Sequence, residues 1–186
     1  MNDYIVREKQ NISYFDHDSK NVFNTIRNSS NRRQMNPICF VLRKIKNIIL
    51  YKWSYNSSFG GLRVTLNRKR GVTIGDNVYI GQFCAIDNAY PEYVYIEDNV
   101  SLAGGNSIIA HSNPYLHFKN IVESSVEPII IKEGAWIGSG AMILRGVTIG
   151  KNAIVTAGTI VDKDVPDYSV ARGNPMKIVS NFESLI

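Results

Sequence analysis

Three histidines occur in this chain, and one of them, His111, stands at a sharp change in the sequence pattern. The apolar run Ile108–Ala110 leads directly into it, and a polar segment of irregular composition follows. A histidine side chain exchanges a proton near neutral pH, so it can act as a general base. A single histidine is more often an ordinary packed residue, so the elements that carry His111 decide whether this chemistry is available.

An aliphatic residue returns every six positions between Ile74 and Val161, in two runs that are broken by one insertion. The first run is Ile74, Ile80 and Ile86, and it resumes in a shifted register at Ile96, Leu102 and Ile108. The second run is Ile131, Ile137, Ile143, Ile149, Val155 and Val161. A period of six fits neither an amphipathic helix nor an alternating strand. It predicts an all-β fold, a parallel β-helix of hexapeptide repeats with about four to five triangular coils and the aliphatic residues stacked inside. Asn77 and Gly138 are expected at corners, where φ can be positive.

The repeats divide the chain into two expected parts. Residues 1–58 are an N-terminal arm, polar at first, with a short helix near residues 22–26. Residues 59–186 are the β-helix domain, with coils from about Phe59, a loop at residues 112–128 and a short C-terminal tail. An insertion of that length next to His111 is often functional. Asp87 and Asn88 lie one coil before His111 and are candidates to line the same groove.

A second helix is expected over residues 38–53, after an N-cap at Asn36 and a proline at position 37. One broad face is apolar, and it consists of Ile38, Val41, Leu42, Ile45, Ile48 and Ile49. The apolar face predicts docking on the end of the β-helix or on a neighbouring subunit. The alternative is a peripheral contact of residues 38–53 with an anionic membrane surface.

The composition limits the binding partners and the cellular compartment that we expect. The net charge is +5 at pH 7, and much of the basic excess lies at residues 43–52 and 68–70. No nucleic-acid-binding motif accompanies it, so nucleic acid is not an expected partner. Cys39 and Cys84 form no disulfide or metal pattern, which suits a reducing compartment and predicts no metal. No secretory signal or apolar run of ~20 residues is present, which predicts a cytoplasmic protein, with the inner face of the membrane as the alternative location.

Several motifs in the second half of the chain resemble those of one known family. They are Gly134-Ala135-Trp136-Ile137-Gly138, Gly146-Val147-Thr148-Ile149-Gly150, Ala157-Gly158-Thr159 and Gly173-Asn174-Pro175. With the repeat and the histidine before a loop, they resemble the hexapeptide-repeat acetyltransferases, in particular the galactoside and maltose O-acetyltransferases and those of capsule and O-antigen clusters. The resemblance covers about residues 60–180. It implies a left-handed β-helix, a homotrimer, acetyl-CoA as donor and His111 as general base in a groove between two subunits.

The resemblance also implies roles for the acceptor side of the site. Glu123 occupies a place where related sugar acetyltransferases carry a glutamate that faces the acceptor. Galactoside and maltose enzymes carry a sugar-binding asparagine thirty residues before the catalytic histidine, and this chain has Gly81 there. A different acceptor sugar is therefore expected. His117 is expected to be a surface residue, and so is His17.

On the donor side, small residues match the family's positions along the pantetheine arm. They are Ser139, Gly140, Ala157 and Gly158. Trp136 is implied as a wall of the pocket, and Lys177 as a contact of the CoA phosphates, with Lys163 and Arg172 as weaker candidates. Asp162 stands where the family often has threonine.

The expected function is acetyl-CoA-dependent O-acetylation of a sugar in bacterial surface-polysaccharide biosynthesis. One alternative is N-acetylation of a nucleotide-linked amino sugar, and a different class is a non-catalytic trimeric scaffold. A zinc carbonic anhydrase of this fold would need three imidazoles on the metal. The spacing of His111 and His117 does not fit the pair in that family, and the repeats offer no third histidine.

Overall fold

A computed structural model describes residues 4–14 and 22–185 of the chain. Three α-helices precede the repeats: α1 (Val22–Arg32), α2 (Pro37–Asn56) and α3 (Gly60–Arg70). The strands are β1 (Gln10–Asn11), β2 (Thr73–Ile74), β3 (Tyr79–Ile80), β4 (Ala85–Ile86), β5 (Val94–Ile96), β6 (Ser101–Leu102), β7 (Ser107–Ile109), β8 (His111–Ser112), β9 (Ser125–Val126), β10 (Ile129–Ile131), β11 (Trp136–Ile137), β12 (Met142–Leu144), β13 (Thr148–Ile149), β14 (Ile154–Val155), β15 (Ile160–Val161), β16 (Ser169–Arg172) and β17 (Lys177–Asn181).

Short parallel strands stack into the three faces of a prism. The first face contains β2, β5, β10 and β13, the second contains β3, β6, β11, β14 and β16, and the third contains β4, β7, β12 and β15. Strand β17 turns back and pairs antiparallel with β16. The chain visits the faces in the same order in each coil, which is the parallel β-helix that the six-residue period predicts.

The prism has two edges that matter for the site. The His edge joins the third face to the first, and it comprises residues 87–92, 110–128, 145–147 and 162–164. The Gly edge joins the second face to the third, and it comprises residues 81–84, 103–106, 138–141 and 156–159.

The aliphatic ladder fills the inside of the prism. All twelve predicted positions are buried, and eleven of them are at most 1% exposed, with Ile74 of the first coil at 9%. Burying an isoleucine side chain stabilises a fold by about 1.5–3 kcal/mol. The ladder is therefore the main source of stability, and its prediction is confirmed. Cys84 lies in the same core, as expected, and burial raises the pKa of its thiol.

Helix α3 closes the open end of the prism, and this corrects the expected start of the coils at Phe59. Three arginines of α3 donate to backbone carbonyls of the first coil, one on each face. Arg68 binds Ile74 O at 3.1 Å, Arg63 binds Ile80 O at 2.5 Å and Arg70 binds Ile86 O at 2.9 Å. The end coil has no preceding coil to pair with, so its carbonyls need other donors. The arginines supply them, and the coils begin at Thr73.

Helix α2 starts as predicted. Asn36 caps it by accepting a hydrogen bond from Ile38 N at 2.9 Å, and Pro37 is its first residue. The predicted docking of its apolar face on the β-helix end is wrong, while docking on a neighbouring subunit stays a prediction. Ile38, Leu42 and Ile45 are exposed, and the helix instead packs on α3 through its opposite side. No helix within residues 4–14 and 22–185 is long and apolar enough to cross a bilayer.

The segment after His111 was expected as a loop at residues 112–128 and is partly regular. Strands β8 and β9 form an antiparallel hairpin, with a short 3-10 helix at Leu116–Phe118 between them. Strand β1 of the N-terminal arm adds to the free side of β9. The arm therefore reaches the His edge, and α1 is longer than the short helix expected near residues 22–26.

Corner residues follow two different constraints. Asn77 has φ 54°, as expected for a left-handed corner. Gly138 does not have a positive φ. A Cβ atom there would lie 2.5 Å from Ala157 N, so close approach of the next coil requires the glycine.

Candidate active site

His111 and Asp87 form a pair at the His edge. The Nδ1 atom of His111 lies 2.6 Å from Oδ2 of Asp87. The Asp87 side chain is 0% exposed, and that of His111 is 24% exposed. A buried carboxylate that orients a partly exposed imidazole is an arrangement suited to general base catalysis.

Backbone amides complete the shell of the Asp87 carboxylate. Ala89 and Tyr90 donate their N–H groups to Oδ1 at 2.8 Å each, and Ala110 donates to Oδ2 at 2.8 Å. Burial raises the pKa of Asp87, but the hydrogen bond and charge of His111 and the backbone amides outweigh it. The pKa of Asp87 is lowered overall.

This shell determines which nitrogen of His111 is the base. An ionised carboxylate only accepts hydrogen bonds, so Nδ1 must carry the proton that it donates to Asp87. Nε2 then keeps its lone pair and can take a proton from a substrate. The expectation that Asp87 lines the acceptor groove is corrected, because its side chain has no exposed surface to offer.

An irregular first coil brings the two residues together. Ile86 pairs with Ile108, so this coil takes 22 residues instead of the regular 18. The 3-10 helix at Pro91–Tyr93 lies in the segment that holds the four extra residues. Asp87 follows β4 and lies one coil below His111, which is two residues beyond the position that a 22-residue coil places above it. Sequence reasoning placed Asp87 one coil earlier but did not identify the pairing.

Aromatic and basic groups surround the pair. The Tyr90 ring lies 5.3 Å from that of His111, and the guanidinium of Arg33 lies 4.2 Å from the centre of the Tyr90 ring. Asn88 exposes its side chain, while its backbone carbonyl accepts a hydrogen bond from Asn47 of α2. Asn88 therefore stays a candidate to contact the acceptor.

Glu123 belongs to a charged cluster beside the hairpin. Lys9 of the arm lies 2.8 Å from Glu123 and 3.4 Å from Glu127, and Arg145 lies 3.1 Å from Glu127. Register connects this cluster to the base, since Gln10 pairs with Val126 and Val126 pairs with His111. Lys9 and Arg145 had not been singled out in the sequence, because only the fold brings them there.

The donor-side residues lie away from His111 in a single chain. Ser139, Gly140, Ala157 and Gly158 are exposed on the Gly edge, and Trp136 is exposed on the adjoining second face. Lys177 is exposed on β17, whereas Lys163 lies on the His edge. One face separates the two edges. From the middle of one edge to the middle of the other the chain runs about six residues, and six extended residues span ~20 Å.

The other histidines do not join the site. His117 is exposed between the rings of Tyr115 and Phe118, at 6.0 and 4.1 Å, as a surface residue would be. His17 lies outside the described residues. No group of three or more His, Cys, Asp or Glu side chains within the described ranges could hold a metal ion.

Comparison with known proteins agrees with this architecture. The profile of the bacterial transferase hexapeptide family (six repeats) matches residues 128–163. YvoF of Bacillus subtilis strain 168, named as a candidate acetyltransferase, is 32% identical over 145 residues, which is 77% of this chain and 81% of YvoF.

Solved structures show the same fold. A maltose O-acetyltransferase from Clostridium difficile 630 aligns with a TM-score of 0.60 at 25% identity, over 76% of this chain and 87% of that one. The hexapeptide-repeat acetyltransferase VCA0836 of Vibrio cholerae, solved with acetyl-CoA, aligns with a TM-score of 0.64 at 22% identity, over 77% and 89%. From the repeats, the coils and these relatives, the chain belongs to the hexapeptide-repeat acetyltransferases.

Proposed function

We propose that this protein is an O-acetyltransferase that uses acetyl-CoA to acetylate a sugar hydroxyl, with His111 as the general base. The observation that carries this proposal is the bond of 2.6 Å between His111 Nδ1 and the buried Asp87 carboxylate. A hydroxyl is weakly acidic, so its attack needs a positioned base, whereas a neutral amine attacks readily. The oriented imidazole thus favours O-acetylation over N-acetylation.

The reaction needs no covalent enzyme intermediate. The acceptor oxygen attacks the thioester carbonyl while Nε2 of His111 removes its proton. The imidazolium that forms is stabilised by the Asp87 carboxylate. The tetrahedral intermediate then expels the CoA thiolate, which takes the proton from the His111 imidazolium, so the free base is restored and the acetyl ester of the sugar remains. Asp87 acts as a positioning residue and does not touch the reacting atoms.

Acetyl-CoA as donor is supported by its presence in the solved VCA0836 complex. The small, exposed corners Ser139, Gly140, Ala157 and Gly158 leave room for a pantetheine arm along the Gly edge. Trp136 beside this edge would wall the pocket. Lys163 and Lys177 are the cations that we assign to the CoA phosphates.

A homotrimer would unite the two edges. The Gly edge of one subunit must face the His edge of the next if a single acetyl-CoA is to reach both sets of residues. Trimers are typical of this family, and such an assembly would contain three sites between subunits.

A sugar acceptor is supported by the similarity to a maltose O-acetyltransferase. We assign Glu123 and Asn88 as acceptor contacts, since both expose polar groups on the His edge. A surface-polysaccharide sugar is the acceptor that we propose, because Gly81 replaces the asparagine expected in the simple sugar acetylases.

Thiol release from acetyl-CoA across a panel of sugars, nucleotide sugars and oligosaccharides tests the proposal. His111→Ala should stay folded and bind CoA but lose about 10²–10⁴ in rate, the usual contribution of a positioned base. His117→Ala is the matched control and should keep its activity. NMR of the product identifies the acetylated atom. Full activity in His111→Ala would overturn the mechanism, and acetylation of an amine would favour N-acetylation.

A further inference from the structure

Helix α2 presents an apolar stripe to solvent. Ile38, Leu42, Ile45, Ile49 and Trp53 recur at intervals of three and four residues, which aligns them along one side of the helix. Ile38 is 71% exposed, Leu42 62% and Trp53 64%, and the other two are about half exposed. We propose that this stripe, together with the basic residues beside it, binds the surface of an anionic lipid membrane.

The opposite side of α2 is held to the protein by polar contacts. Asn47 accepts a hydrogen bond from Arg70 at 2.8 Å, and Ser54 accepts one from Asn67 at 2.6 Å. Both Ser54 and Arg70 are buried. These bonds fix the rotation of the helix, so the apolar stripe cannot turn inward without breaking them.

Charge is segregated toward this end of the molecule. Residues 22–75, from α1 to the first strand of the prism, contain eleven Lys and Arg and no Asp or Glu, whereas the rest of the chain contains ten basic and sixteen acidic residues. Within the described part of the chain, Lys44, Lys46 and Lys52 of α2 have no acidic partner within 4.0 Å. The helices that cap the prism thus combine exposed apolar groups with unneutralised positive charge.

Lipid fits these features better than the other possible partners. Nucleic acid would use the charge, but its phosphate backbone offers nothing to a row of isoleucines. A second copy of α2 would bring like charges together, which is unfavourable. An anionic bilayer interface accommodates both, because lysines snorkel to the headgroups while apolar side chains and Trp53 enter the boundary region.

The inference deepens the proposed function by naming where the acceptor is found. An enzyme held at the membrane by α2 would encounter an acceptor that is anchored to lipid. In the proposed trimer with parallel prisms, three capping ends would lie on the same side. Three stripes would then bind one membrane with higher avidity than a single stripe.

Co-sedimentation with vesicles tests the proposal on the full chain. One vesicle contains phosphatidylcholine alone, and the other contains phosphatidylcholine mixed with phosphatidylglycerol. We expect binding to the anionic vesicles, weakened by added salt. Ile45→Ser/Ile49→Ser should lower the partition coefficient about tenfold or more, and Lys46→Gln/Lys52→Gln about 25-fold. The controls are Val179→Ser, which changes an exposed apolar residue elsewhere, and Lys132→Gln/Lys151→Gln, which removes the same net charge from lysines that are ion-paired with Asp167 and Glu133. Both should bind like the wild type.

The other outcomes each overturn the proposal. Failure of the wild type to bind anionic vesicles, or equal binding to both vesicles, would exclude an anionic-membrane surface. Loss of the oligomer in Ile45→Ser/Ile49→Ser, measured by analytical ultracentrifugation, would identify the stripe as a subunit interface. Binding to a DNA duplex that only the lysine variant loses would identify a nucleic-acid surface. Thiol release with a water-soluble acceptor is measured in parallel, so failure of the proposed catalysis is seen separately.

Discussion

At the scale of single residues, the site depends on a carboxylate that is buried only because it is fully bonded. Asp87 accepts three backbone N–H groups and one imidazole. An unpaired buried charge would cost several kcal/mol, so these bonds are what allow the carboxylate to remain ionised. The same bonds hold the ring of His111 in one orientation and one tautomer. The Asp87 side chain therefore sets both the orientation of the His111 ring and the charge beside it.

Replacing Asp87 by asparagine tests this positioning role. The amide is neutral and can donate to Nδ1, which would place the proton on Nε2 and block the base. We expect Asp87→Asn to lower kcat about 10²-fold with little change in the KM for acetyl-CoA. A kcat like that of the wild type would mean that Asp87 has only a structural role.

The same substitution has a pH signature in stability. The pKa of Asp87 is lower in the folded chain than the unfolded value of about 3.9. Its stabilisation is therefore fully present above pH ~4 and is lost as the pH falls through the folded value. We expect Asp87→Asn to reduce the free energy of unfolding by about 1–3 kcal/mol at pH 7. The difference should shrink below pH 4 in urea titrations.

The control for this measurement is Asp162→Asn, which alters an exposed carboxylate on the same edge. It should leave the free energy of unfolding nearly unchanged at both pH values. A difference between wild type and Asp87→Asn that grows as the solution becomes acidic would contradict the assigned shift.

The sequence alone predicted the aliphatic ladder but not the contact between Asp87 and His111. Every ladder position was predictable, since the period of six is regular within each run and each position needs only an aliphatic side chain. The Asp87–His111 contact depends on the length of one irregular coil, in which Pro91 begins a 3-10 helix. Counting one regular coil of 18 residues back from His111 reaches Tyr93 instead of Asp87, because the irregular coil contains 22 residues.

At the scale of elements, helix α3 supplies hydrogen-bond donors to the open backbone carbonyls at the end of the β-helix, as a capping residue satisfies the open backbone groups at the end of an α-helix. Arg63, Arg68 and Arg70 donate to carbonyls that have no coil below them. Arg70 also donates to the backbone carbonyl of Asp87 at 2.6 Å. Burial lowers its pKa to about 10, so it is charged at neutral pH. The end cap and the catalytic pair are thus mechanically connected.

Arg70→Met should therefore affect both stability and rate. It leaves the carbonyls of Ile86 and Asp87 without donors, so we expect a loss of about 2–4 kcal/mol in urea unfolding. A fall in kcat should accompany it, because the Asp87 backbone loses its support. Lys69→Met, the exposed neighbour on the same helix, is the control and should change little. Equal effects of the two substitutions would argue against the cap.

The elements around the prism were harder to predict than the prism itself. Arg68 and Arg70 were predicted only as part of a basic stretch and Arg63 was not singled out, although any first coil needs donors for its open carbonyls. The hairpin after His111 and its pairing with β1 connect residues more than a hundred positions apart. Such a pairing has no local signal, because strands of two residues are too short for a recognisable alternation.

At the scale of the whole molecule, the proposed chemistry is divided between two edges of one prism. His111 and Asp87 lie on the His edge, whereas Ala157 and Gly158 lie on the Gly edge. Because a full face separates the two edges, one chain would not bring both sets of residues to the same thioester. In a closed ring with rotational symmetry, the His edge of each subunit can face the Gly edge of the next, and both sets then meet at the interface.

Mixed oligomers test this division directly. Ala157→Asp puts bulk and negative charge on the exposed Gly edge and should abolish acetyl-CoA use, while His111→Ala removes the base. Each variant alone should be inactive, but coexpression should restore about a quarter of the wild-type rate, since a random ring pairs an intact His edge with an intact Gly edge in about one interface of four. Simple mixing of the two purified variants without subunit exchange is the control and should stay inactive. If coexpressed variants also stay inactive while a tagged pull-down shows that mixed rings form, each site lies within one chain and the shared-site arrangement is wrong.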